Sequence, residues 1–113
     1  MAIQRGEVYL VYLDPAFGHE LGGYKPRPVV VLSTNFINEK PLVVTVVSGT
    51  SEKRPQASFR NVVRVVPTQQ NGLTDPTLFQ CHQIRSLDKG RFTGKPVGRL
   101  ADADVERIEK ALT

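Results

Sequence analysis

Residues 27–32 read Arg27-Pro28-Val29-Val30-Val31-Leu32, a run whose last four positions are apolar without interruption. Successive side chains of a strand point to opposite faces, so a strand with one wet face alternates, and this one does not. Both of its faces are therefore expected to be covered, which makes it the centre of the core. Working outward, runs of β-branched and aromatic residues stand between turn signals at 6–13, 42–47, 60–66, 77–84 and, briefly, 96–99. Five or six short strands with a single helical stretch imply a mostly β fold, an antiparallel sheet or barrel with a C-terminal α-helix.

The helix comes last. Asp102 is placed to cap it before Ala103, with Asp104 and Glu106 in the first turn where acids complement exposed amides, and Lys110 near the far end. Val105, Ile108 and Leu112 follow at i, i+3 and i+7 and form one apolar stripe. Asn71-Gly72 marks a turn, since both residues tolerate positive φ, and Asp75-Pro76 ends that connection with an extended residue.

A chain of 113 residues holds one domain, 1–113, and its 40% hydrophobic content excludes a disordered tract. The net charge is +4, and the last fourteen residues are acidic, so residues 1–99 carry +6. A basic body suits a polyanion such as nucleic acid, or an acidic protein, although the same surplus also serves solubility. The single Cys81 excludes an intrachain disulfide, and with only His19 and His82 beside it no zinc-ligand spacing exists. No stretch approaches the roughly 20 apolar residues of a membrane span, and the N-terminus has no signal-peptide core. A cytoplasmic protein is expected.

Residues 14–26 separate two strands by more than the ~2–5 residues of an ordinary hairpin loop. The segment holds His19, Glu20, Gly22-Gly23, Tyr24 and Lys25; its glycines either admit and cover a ligand or form a loose hairpin tip. Arg27, set between Pro26 and Pro28, is suited to a phosphate, because its planar fork donates two parallel hydrogen bonds and keeps its charge. The alternative is a strand-end arginine paired with Glu20 or Glu7. Ser48-Gly49-Thr50-Ser51 follows the third strand as a turn with hydroxyl and amide donors for a phosphate oxygen, or as a plain turn.

Within 77–84, alternation puts Thr77, Phe79, Cys81 and Gln83 on one face and Leu78, Gln80, His82 and Ile84 on the other. Cys81 and His82 then point apart, which removes a nucleophilic dyad and leaves Cys81 as a core residue. Gln80 and His82 share a polar patch, where a histidine of ordinary pKa ~6.5 moves protons near neutrality. No Gly-x-Ser-x-Gly motif supports a serine nucleophile. His19 and Glu20 need a third ligand before they bind a metal.

Arg5-Gly6-Glu7-Val8-Tyr9, Leu13-Asp14-Pro15, Gly18-His19-Glu20-Leu21-Gly22-Gly23 and the run from Arg27 to Ser33 together resemble the opening of the MazF/PemK (Kid-like) family of toxin endoribonucleases. Cys81-His82-Gln83-Ile84-Arg85-Ser86-Leu87-Asp88-Lys89 with Arg91 resembles that family's later strand and its exit, and the terminal helix fits in place and length. The resemblance implies a small SH3-like or CcdB-like β-barrel of five to seven strands, assembled as a homodimer. It also implies a type II toxin that cuts single-stranded RNA without a metal ion. The RNA's own 2′-hydroxyl attacks the neighbouring phosphorus, leaving a 2′,3′-cyclic phosphate and a free 5′-hydroxyl. The chemistry then needs a base, an acid, and donors around the phosphorane, but no protein nucleophile or cofactor.

Carried over residue by residue, the resemblance gives Arg27 to phosphate stabilisation and acid work, and Thr50, or alternatively Ser48, to a non-bridging oxygen. Glu20 is the base or a partner that orients Arg27. His19, Lys25, Lys53, Arg54, Gln80 and Arg85 are the RNA contacts. Kid-like members carry an Arg and an Asp where this chain has Gln80 and His82; an amide cannot protonate a leaving group, so His82 takes one of the two roles or Arg27 substitutes. An acidic MazE/PemI-like antitoxin is the implied partner, lying over Lys25, Arg27 and the 48–54 segment. Competing readings are a CcdB-like non-enzymatic poison of DNA gyrase and a non-catalytic SH3-like binding module, since a shared barrel does not fix function.

Overall fold

The computed structural model describes residues 3–13, 26–35, 43–53 and 61–112. Six strands, β1 (Glu7–Val11), β2 (Arg27–Val31), β3 (Val43–Ser51), β4 (Val62–Val65), β5 (Thr77–Asp88) and β6 (Gly98–Arg99), are followed by helix α1 (Asp102–Leu112). They form one curled antiparallel sheet in the order β4-β5-β3-β2-β1-β6. The strand count and the terminal helix agree with the sequence reading.

β2 is central and covered on both sides. Val30 and Leu32 enter one cluster with Val8, Val47, Phe79, Leu100, Val105 and Ile108, under the helix. Val29 and Val31 enter a second cluster on the opposite face, with Tyr9, Val11, Val44, Val46, Leu87 and Phe92. Each fully buried aliphatic side chain contributes on the order of 1.5–3 kcal/mol, so neither face of β2 tolerates a polar residue cheaply. The ladder from β2 to β3 begins at Val29↔Ser48, so Pro28, which lacks an N–H, interrupts no bond there.

Between β3 and β5 the register breaks: Val47 pairs with Ile84 and Gly49 with Phe79. One residue, Ser48, thus stands opposite the four residues 80–83, a wide bulge in β5. Three extra residues reverse side-chain parity. Phe79 and Cys81 belong to the helix-side cluster, while Leu87 belongs to the opposite one, where Arg85 joins it as the partner of Val46. Strict alternation through 77–84 is therefore wrong beyond the bulge, and Ile84 faces the side of Val47.

The 66–73 turn is built by the Asn71 side chain, whose Oδ1 accepts from the Thr68 and Leu73 amides while Nδ2 donates to the Val66 carbonyl. Of the pair Asn71-Gly72 only Gly72 has positive φ, +69°, so Asn71 acts through its side chain and not through left-handed backbone. A Cβ on Gly72 would lie 2.0 Å from the Val97 carbonyl oxygen. That close approach lets the Arg99 amide donate to Gln70 O at 2.9 Å and brings the turn onto β6.

α1 begins with the Ala101 carbonyl accepting from the Asp104 and Val105 amides, so Ala101 takes the capping position and Asp102 lies in the first turn. Val105 and Ile108 are buried and Leu112 packs beside them, the stripe read from the sequence. Arg5 anchors the helix to the sheet, donating to the Leu32 carbonyl and pairing with Glu109.

Candidate functional site

The face of the sheet opposite α1 changes character along its length. At one end the row on β3 is Val44 and Val46; two residues on it becomes Ser48 and then Thr50. Val29↔Ser48 is the first ladder pair of β2, and extending that register by two residues sets Arg27 opposite Thr50 on the same face. On the other side of β3, Arg85 pairs with Val46. Arg27, Ser48, Thr50 and Arg85 thus share three adjacent strands within about 13 Å along β3.

Three of these four residues carry a buried polar atom without any hydrogen-bond partner: Ser48 Oγ, Thr50 Oγ1 and Arg85 Nη1. Among the described residues these are all such side-chain atoms, and they fall on one face of neighbouring strands. An unsatisfied buried group costs about 1–3 kcal/mol, so three together require a reason. Each is able to donate, and donors converging on a small volume are complementary to anionic oxygen. Gly49 makes the arrangement possible. A Cβ there would meet Thr77 Cγ2 at 2.6 Å and the Phe79 ring at 3.1 Å, so glycine keeps β5 close while the hydroxyls on either side turn to the other face.

Several expectations change. Residues 48–51 are not a turn but the end of β3. Gln80 is 2% exposed and its Nε2 donates to the Leu78 carbonyl at 3.5 Å, so it forms no exposed polar patch with His82. His82 is exposed on the bulge that stands opposite Ser48. Cys81 is buried, and burial pushes its thiol pKa up, as expected of a core residue and unlike a nucleophile. Arg27 does not pair with Glu7: it stands beside Val11, four residues or about 13 Å along β1 from Glu7. Lys53 is exposed and pairs with Asp75 at 3.2 Å. His19, Glu20, Lys25 and Arg54 lie outside the described residues. Among the described residues no three His, Cys, Asp or Glu side chains gather as a metal-binding group.

One feature was not legible. A cleft of ≈ 380 Å³ opens where the start of β2, the end of β3 and the 72–75 turn meet, with Leu10, Pro28, Leu73 and Val97 among its apolar walls and Asp75 at its polar side. Sequence reading treats 71–76 as a mere connection. Only the pairing of Lys53 with Asp75, residues 22 apart, marks it, and that pairing needs coordinates.

Residues 4–113 match a family model described as the PemK-like, MazF-like toxin of type II toxin-antitoxin systems. The chain belongs to this family. It is 30% identical over 112 residues to endoribonuclease EndoA of Bacillus subtilis, covering 99% of this chain and 92% of that one. Among solved structures, MazF of Deinococcus radiodurans shares the fold with a TM-score of 0.79 at 21% identity, covering 99% of this chain and 94% of the other. A mycobacterial endoribonuclease in complex with its cognate antitoxin is similar with a TM-score of 0.72 at 25% identity, covering 98% and 91%. Membership in the PemK/MazF family agrees with the resemblance read from the Arg27 and Cys81 segments. The strip of unpartnered donors coincides with three positions that the resemblance marks, Ser48, Thr50 and Arg85.

Proposed function

We propose that this chain is the toxin of a type II toxin-antitoxin system, a single-domain endoribonuclease that cuts single-stranded mRNA in the cytoplasm without a metal ion. The observation that carries the reading is the strip of buried, unpartnered donors, Ser48 Oγ, Thr50 Oγ1 and Arg85 Nη1, with Arg27 in register beside it. A phosphodiester becoming a phosphorane gains charge on its non-bridging oxygens, and preorganised donors in a water-poor place stabilise that charge most. The two hydroxyls lie beneath the surface, so the phosphate reaches them only as the surrounding chain gives way. The RNA's 2′-hydroxyl is the nucleophile, Arg27 meets the phosphate, and exposed His82 on the bulge moves a proton to or from the 2′- or 5′-oxygen. Glu20 is the second proton carrier or the group that orients Arg27. His19, Lys25, Lys53 and Arg54 hold the strand.

A mycobacterial relative is seen with its cognate antitoxin, and we extend that partnership to this chain, whose residues 1–99 carry +6. A homodimer buries the apolar residues, such as Ile84 and Val43, that one copy leaves exposed. The decisive experiment incubates the purified chain with a long single-stranded RNA in EDTA, then sequences the cut ends and assigns their chemistry. Cuts bearing 2′,3′-cyclic phosphate and 5′-hydroxyl are expected. Intact RNA together with inhibited gyrase supercoiling would overturn the reading in favour of a gyrase poison.

A further inference from the structure

The ≈ 380 Å³ cleft lies beyond the donor strip, around the end of the sheet, and Arg27 borders both. Its volume falls at the lower end of the ~300–1,000 Å³ range of small-ligand sites. Leu10, Pro28, Leu73 and Val97 supply apolar wall, and Leu10 is half exposed at the rim. At the polar side stands Asp75, its carboxylate paired with Lys53 Nζ at 3.2 Å. With side-chain exposures of 77% for Lys53 and 40% for Asp75, that ion pair contributes little to stability.

We infer that this cleft is a guanine pocket, which reads one base of the RNA strand next to the phosphate held by Arg27. The inference rests on the endoribonuclease reading and names what its site selects. A carboxylate accepts two hydrogen bonds side by side, and an adjacent ammonium only donates. The complementary edge therefore needs two neighbouring donors followed by an acceptor. Guanine's Watson–Crick edge is that sequence, N2–H and N1–H to Asp75 and O6 to Lys53. Adenine sets the N1 lone pair against the carboxylate, cytosine sets N3 there, and uracil offers one N–H flanked by two carbonyls. Apolar walls around a splayed base, with charged groups on its pairing edge, are how single-stranded RNA is read.

The test measures binding, so that it stands apart from cleavage. Fluorescently labelled 2′-fluoro pentanucleotides, which lack the attacking hydroxyl, are titrated with the full chain: UUGUU, its inosine counterpart lacking the N2 amino group, and UUAUU. The guanine oligomer is expected to bind about tenfold or more tighter than either of the others, the scale of one hydrogen bond to a charged group. Asp75→Asn should bring all three level, and Lys53→Met should weaken guanine binding while keeping its lead over inosine. Equal affinity of the three for the unmodified chain overturns the inference without any variant, as does a guanine preference that survives Asp75→Asn. Loss of RNA cleavage with the guanine preference intact overturns the catalytic reading alone.

Discussion

A buried hydroxyl bonded to nothing weakens the fold that contains it, and Thr50 Oγ1 is such a group. Valine has nearly the same shape without the oxygen. Thr50→Val should therefore raise stability by about 1 kcal/mol, roughly 4 °C in Tm, while RNA cleavage falls about 10²-fold or more. Thermal unfolding and kcat/KM measured on one preparation check both signs; a less stable but fully active variant would contradict a substrate-directed hydroxyl. His82 makes the opposite pairing, since it is exposed and carries no packing. His82→Ala should leave Tm unchanged and lower cleavage about 10²-fold, the usual scale for a lost proton-transfer group, and wild-type rates would remove it from the mechanism. Tyr9 shows a purely structural residue at the same scale. Its ring meets Phe92 edge-on at 5.1 Å, and burial first, then the charge and hydrogen bond of Glu7, push its pKa up to about 12. In the unfolded chain tyrosine ionises near 10, so the raised value means stability that is whole below pH ~10 and drains as pH climbs through 12, by about 3 kcal/mol. Denaturant titrations from pH 9 to 12 should show that slope, and Tyr9→Phe should remove it.

At the scale of elements the decisive join is β3 against β5. Gly49 lets Thr77 and Phe79 press against β3, and an added methyl collides with both. Gly49→Ala should cost about 1–3 kcal/mol by overpacking and should also impair cleavage, because it moves the strand that carries Ser48 and Thr50. Equilibrium unfolding checks the first, and unchanged stability would mean that β5 yields without cost. The same join marks where sequence reading stops working. The covered strand at 27–32 was legible because four consecutive apolar residues have no other economical use, and the helix because Val105, Ile108 and Leu112 keep a 3.6 period. The hydroxyls were legible as residue types but not as strand, since Ser48-Gly49-Thr50-Ser51 has the composition of a turn and becomes β only through its ladder to 77–79. The bulge at 80–83 was illegible in principle: alternation presumes an unbroken ladder, and three extra residues swap the faces beyond it, bringing Arg85 to the strip. Register in β2 is likewise not fixed by its own pattern, because a strand apolar on both faces gains nothing from either choice. The alternating neighbours and Pro28 decide it.

For the whole molecule the charge distribution, unlike the bulge, was open to reading from the start. The surplus lies in residues 1–99, and four of the eleven acids are gathered on α1, on the helix that packs against the face opposite the donor strip. With four acids on the helix, the proposed RNA-binding side lies on the more basic part of the chain, residues 1–99. An antitoxin that silences the enzyme by covering this side must then be acidic where it lies, and much of its attraction must be between solvent-exposed charges. Such attraction is screened over ~30 Å at about 0.01 M salt but over only ~3 Å near 1 M. The affinity of the chain for its cognate antitoxin should therefore fall by at least about tenfold across that range, mainly through slower association, because steering acts before contact. Surface-plasmon measurements at four or five salt concentrations separate the two rates. A dissociation constant that stays flat with salt would mean an apolar interface, and would move the antitoxin away from the donor strip.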